Sequence, residues 1–89
     1  MNFSYFPKNK SVYTTEFVIN DDSDIVYVSL DEDGDFQVFS KEGADTEKTM
    51  LVSLENILSK DPSLLEILNI EKGEQFYRKN KNSQWVKMI

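Results

Sequence analysis

Most of the side chains in this sequence that could do chemistry are carboxylates, and their spacing is that of turns. Asp31, Glu32, Asp33 and Asp35 surround Gly34, and Asp21, Asp22 and Asp24 stand a few residues before them. Acids at alternate loop positions suit calcium, a hard cation that takes oxygen ligands. An EF-hand loop with its sixth-position glycine at Gly34 would start at Ser29 and use Asp31 and Asp33 as the third- and fifth-position ligands. It would then need Glu at position 40, where Ser40 stands. The spacing leaves a tight acidic turn, and solvated acids in a turn lack the desolvation that acid-base catalysis exploits. Ser53 lies outside any Gly-x-Ser-x-Gly context, and Lys72-Gly73 lacks the upstream glycine of a phosphate-binding loop. With no His and no Cys in the chain, the commonest general base, metal ligand and thiol nucleophile are all missing. A non-enzymatic protein is expected, with no cofactor and no metal site.

Charge is distributed unevenly over a net of -6. Every charged residue from Glu16 to Asp35 is acidic, whereas after Glu74 the charges are Arg78, Lys79, Lys81 and Lys87. Affinity for nucleic acid comes from Lys and Arg clustered on phosphates, so none is expected. A basic protein partner fits better, and Asp22, Asp24, Asp31, Glu32, Asp33 and Asp35 form the candidate contact surface. The same acids also serve solubility. Arg78, the only arginine, has two open roles: its planar fork could hold a partner carboxylate, or it could pair internally with an acid near the helices.

These residues must be positioned by a small scaffold. Eighty-nine residues, 39% hydrophobic and 12% aromatic, suffice for one domain over 1–89 with a single core. The start of the chain lacks the basic-then-apolar pattern of a signal peptide, and no window is apolar enough to span a membrane. A soluble cytoplasmic protein with no membrane contact is expected.

Residues 12–20 are rich in β-branched and aromatic types and alternate, which predicts a strand; 25–30 predicts a second. Asp33-Gly34-Asp35 before 36–39 predicts a hairpin, because glycine accepts positive φ. Residues 50–52 add a short strand, and 75–79 with 84–88 form two more. Between them, Ser53 can cap a helix with Leu54, Ile57 and Leu58 on one face. Asp61-Pro62 ends it and starts another that carries Leu64, Ile67 and Leu68, since Pro disfavours helix in the residue before it and suits the first helical position. The expected fold is α+β: an antiparallel sheet of about five strands, with two short consecutive helices packed on one face. Residues 1–11 form an N-terminal arm. Its Phe3, Tyr5 and Phe6, together with Trp85, either pack on the domain or offer an association surface, so monomer and homodimer both remain open.

Several of these elements recur in a fixed order: Asp33-Gly34-Asp35-Phe36-Gln37-Val38-Phe39-Ser40, then Leu54-Glu55-Asn56-Ile57-Leu58, then Asp61-Pro62-Ser63-Leu64-Leu65-Glu66-Ile67-Leu68, then Gly73 and Phe76-Tyr77-Arg78. Over about 12–85 the chain resembles a group of small bacterial domains, part of which is classed as immunity proteins of polymorphic toxin systems. Phe36 stands where such proteins often carry Trp, and Glu71-Lys72 where a Pro is frequent. The resemblance implies a protein that binds and neutralises a cognate toxin, and it carries over no toxin-contact residue. The contrasting reading is a housekeeping or regulatory module with no toxin partner, homodimeric through Phe3, Tyr5 and Trp85.

Overall fold

A computed structural model describes residues 6–88. Six strands form one mixed sheet: β1 (Ser11–Thr15), β2 (Tyr27–Leu30), β3 (Phe36–Phe39), β4 (Thr49–Ser53), β5 (Gln75–Tyr77) and β6 (Val86–Met88), in the order β4-β1-β3-β2-β5-β6. Helices α1 (Glu16–Ile19) and α2 (Leu54–Lys60) and the 3-10 segments Thr46–Lys48 and Pro62–Ile67 complete it. The expected small α+β architecture is present, with three differences. The sheet has six strands rather than five, and it is mixed, because β1 pairs in parallel with β3, Val12 opposite Phe36. The second of the two consecutive helices is a 3-10 helix.

The third difference lies in 12–20, where the strand stops at Thr15 and the chain turns into α1. Pairing of β1 with β4 ends at Thr15 opposite Thr49, so a longer strand would have no ladder partner on that side. The helical turn instead gives the Glu16 carbonyl two donors, the backbone N–H groups of Asn20 and Asp21. It also buries Val18 in the core. Tertiary pairing overrides β-propensity there.

Residues opposite one another in the ladders share a face of the sheet. One face carries Val12, Val28, Leu30, Phe36 and Val38, and these pack with Leu54, Ile57, Leu58, Leu64, Ile67 and Leu68 from α2 and the segment after it. Phe6 stands edge-on to Phe36 on this side, with ring centroids 4.8 Å apart. Further along the arm, the carbonyls of Lys8 and Lys10 accept from the Glu55 and Leu54 N–H groups. The inner part of the N-terminal arm is therefore docked, whereas Phe3 and Tyr5 lie outside the described residues.

Among the described residues, the opposite face carries no charged strand residue. Leu51, Tyr13, Gln37, Ser29, Gln75 and Met88 make one row across it, and Phe39, Tyr27, Tyr77 and Val86 another. Tyr13, Leu51, Tyr77, Val86 and Met88 all remain exposed.

Local signals in the sequence explain the helices. Ser53 is extended, and its hydroxyl accepts from the Asn56 N–H at 3.1 Å, satisfying one of the free donors of the first turn. Asp61 caps the next segment, accepting from the Ser63 N–H at 3.1 Å, with Pro62 at its first position.

Candidate functional site

The six acids assigned to one contact surface are divided between the two ends of β2. The loop before β2 carries Asp22 and Asp24, and the turn after it carries Asp31, Glu32, Asp33 and Asp35. Four strand residues separate the two groups, about 13 Å at the usual strand rise. The six acids therefore form two groups at opposite ends of β2 rather than one cluster.

At the first end, the side chains are engaged with cations and backbone donors. Asp22 Oδ1 accepts from Lys60 Nζ at 2.6 Å, linking the loop to the last turn of α2, and Asp24 Oδ2 accepts from the Lys81 backbone N–H at 3.2 Å. Asp22 has φ +55°, a conformation Asp tolerates better than most residues. Open clefts of about 480 and 430 Å3 lie on the two sides of this loop, the first lined in part by Lys60, Asp61 and Lys81, the second by Lys41, Glu42 and Lys79. Ser23 donates to Glu42 at 3.3 Å across the second cleft, tying the loop to the end of β3.

The Lys60 ammonium holds the Asp22 carboxyl below its ordinary 3.8, first through their hydrogen bond and then through charge attraction. Hydrogen bonding from Ser40 lowers Glu42, and hydrogen bonding from Lys87 lowers Glu74. Lowered carboxyl values add stability above the unfolded pKa and lose it as pH falls through the folded one. The Lys87 ammonium is raised by Glu74, so its share is present below the ordinary 10.5 and is lost as pH rises through the folded value. Asp22, Glu42 and Lys87 are exposed and Glu74 is half-buried at the surface, so each effect is small. Wild type and Asp22→Asn should differ in urea midpoint at neutral pH and converge as pH drops below about 3.8. A difference that persists unchanged at acid pH would show that the charge of Asp22 is not its source.

At the other end, the acidic turn is built by its own bonds. Asp31 Oδ1 accepts from the N–H groups of Asp33 and Asp35, each at 2.9 Å, and the Gly34 N–H returns to the Asp31 carbonyl at 2.9 Å. Gly34 has φ +88°, the glycine conformation expected of the hairpin. Lys10 Nζ donates to the Gly34 carbonyl at 2.7 Å rather than to a carboxylate. Asp31, Asp33 and Asp35 thereby converge, one oxygen of each lying within 4.8 Å of the others. Asp31 Oδ2 also accepts from Gln37 Nε2 at 3.5 Å, which places this carboxylate at the rim of the uncharged face. Glu32 is turned away against Gly73, where an added Cβ would lie 2.5 Å from its Oε2.

Arg78 belongs to a buried polar cluster and is not a surface contact. Its side chain is 1% exposed, and its Nη2 is ion-paired with Asp61 Oδ2. Nε donates to the Ile25 carbonyl at 2.9 Å and Nη1 to Ser63 Oγ at 2.8 Å. The Trp85 ring lies 4.1 Å from the guanidinium carbon, and its Nε1 donates to the same Ser63 hydroxyl at 3.3 Å. Of the two roles open in the sequence, the internal pairing is the one observed. Trp85 is likewise engaged by this cluster and is half-buried against the core. The sequence pointed to Asp61 only as a cap, although the same carboxylate caps with one oxygen and neutralises Arg78 with the other.

Among the described residues, no helix is long and apolar enough to cross a membrane. Comparison with known protein families, with characterised proteins and with solved structures finds no significant match.

Proposed function

We propose that this domain is a non-enzymatic protein-binding module that receives a basic partner at the 31–35 turn, and that the partner is a toxin domain it neutralises in the bacterial cytoplasm. The observation that carries the reading is the convergence of Asp31, Asp33 and Asp35 on a turn held rigid by its own hydrogen bonds. None of the three takes part in an ion pair among the described residues, whereas Asp22 is already bound to Lys60. A fixed focus of three carboxylates, only partly offset by the Lys10 ammonium at the Gly34 carbonyl, speeds the encounter with a cationic surface and makes it sensitive to salt. The net charge of -6 adds to that field. The immunity assignment rests on the family resemblance of the ordered hairpin, helix and Asp-Pro elements.

Co-expression with the product of the adjacent gene tests the biology: protection from its toxicity, with a complex on co-purification, is expected. Neither protection nor a complex would reject the immunity reading. The surface is tested by replacing Asp31, Asp33 and Asp35 together with Asn, which keeps an acceptor oxygen at Asp31 and so preserves the turn. Association with that partner should slow by roughly tenfold at low salt and lose most of its salt dependence. An unchanged rate and salt slope would eliminate the turn as the contact.

A further inference from the structure

The two edges of the sheet are treated differently. An edge strand exposes unpaired N–H and C=O groups and invites another strand, and proteins usually guard it by shortness, charge, proline or a bulge. The β6 edge has two of these safeguards, being three residues long and carrying Lys87, which is paired with Glu74 at 2.6 Å. The β4 edge has neither: its five residues Thr49, Met50, Leu51, Val52 and Ser53 contain no charge and no proline. Only β1 pairs with it, so among the described residues its outer side has no partner strand.

We propose that the outer edge of β4 pairs antiparallel with the same edge of a second copy, about a two-fold axis at Leu51, to join two sheets into one. Three observations specify this occupant. The groups to be satisfied are those of a strand edge, which another strand satisfies in full. The segment is self-complementary: the two-fold sets Leu51 opposite Leu51 of the second copy, Met50 opposite Val52, and Thr49 opposite Ser53, so apolar meets apolar and hydroxyl meets hydroxyl. Lastly, a chain of net charge -6 repels its own copy, and this strand brings no like charges together at the contact. The pairing also covers Leu51, which at 59% is the most exposed large hydrophobic residue among the described residues, and continues the row from Tyr13 on the uncharged face.

Five paired residues bury less than a standard interface, so the dimer is weak, with a dissociation constant on the order of 100 µM. The inference uses a surface separate from the acidic turn and stands whether or not a basic partner exists. Sedimentation equilibrium of the full chain from about 10 µM to about 1 mM should show a monomer–dimer transition. Leu51→Lys sets two ammonium groups opposite each other and should weaken it at least roughly tenfold, while Tyr77→Lys, on β5 and four strands away from β4 in the sheet, should leave it unchanged. A monomer throughout the range overturns the proposal. So does a dimer that survives Leu51→Lys but is lost with Tyr77→Lys, the result expected if the sheet faces stack instead. Amide exchange on the unaltered protein gives an independent reading: β4 amides should gain protection as concentration rises and β6 amides should not, and the reverse pattern overturns the β4 pairing.

Discussion

Arg78→Ala should lower the unfolding free energy by about 3–5 kcal/mol, the cost of removing one partner from a buried ion pair. The loss has three parts. Asp61, 16% exposed at its side chain, loses its ion-pair partner. The Ile25 carbonyl loses its guanidinium donor, and Trp85 loses the planar group it stacks on. For a domain of this size each kcal/mol moves Tm by about 4–8 °C, so a drop of more than about 12 °C is expected by circular dichroism. Arg78→Lys retains a charge but not the fork that reaches Asp61, Ser63 and Ile25 together, and should recover less than half of the loss. A loss below about 1 kcal/mol for Arg78→Ala would place the guanidinium in solvent, as expected of a surface contact.

The second large effect is expected in the apolar core. Ile57 is fully buried in α2, on the same helix face as Leu54 and Leu58. Ile57→Ala should cost about 2–5 kcal/mol, combining the lost transfer of the removed carbons with the cavity they leave. Ile57→Val removes a single methylene and should cost about 0.5–1.5 kcal/mol. Urea unfolding separates the outcomes: the midpoint should fall in that order with an unchanged slope, because the surface exposed on unfolding stays nearly the same. Equal midpoints for Ala and Val would mean that α2 closes onto the sheet and leaves no cavity. Domain stabilities of about 5–15 kcal/mol leave little room for either this loss or that of Arg78.

Both predictions bear on the segment that the sequence marked most clearly. Ser53 as a cap, the apolar face of Leu54, Ile57 and Leu58, and the restart at Asp61-Pro62 were all legible, because caps and apolar periodicity act within one or two turns of helix. The hairpin at Gly34 was legible for the same reason, since a residue with positive φ between two strand-like runs is a local signal. What 16–19 would become was not. Phe17, Val18 and Ile19 carry strand propensity, and the chain turns helical only because β4 ends opposite Thr15.

The candidate site divides along the same line. Sequence alone determined the acidic balance, the absence of His and Cys, the local helix and turn signals, and the two possible roles of Arg78. All of these depend on composition or on residues close in the chain. Only the tertiary structure decided the parallel pairing of β1 with β3, the separation of Asp22 and Asp24 from the 31–35 turn, and the capture of Arg78 by Asp61, Ile25 and Trp85. It also decided which sheet edge was left unguarded. Each of these is a contact or a neighbour relation between segments far apart in sequence, and it follows from strand order and from which face the helices cover, neither of which a local pattern encodes.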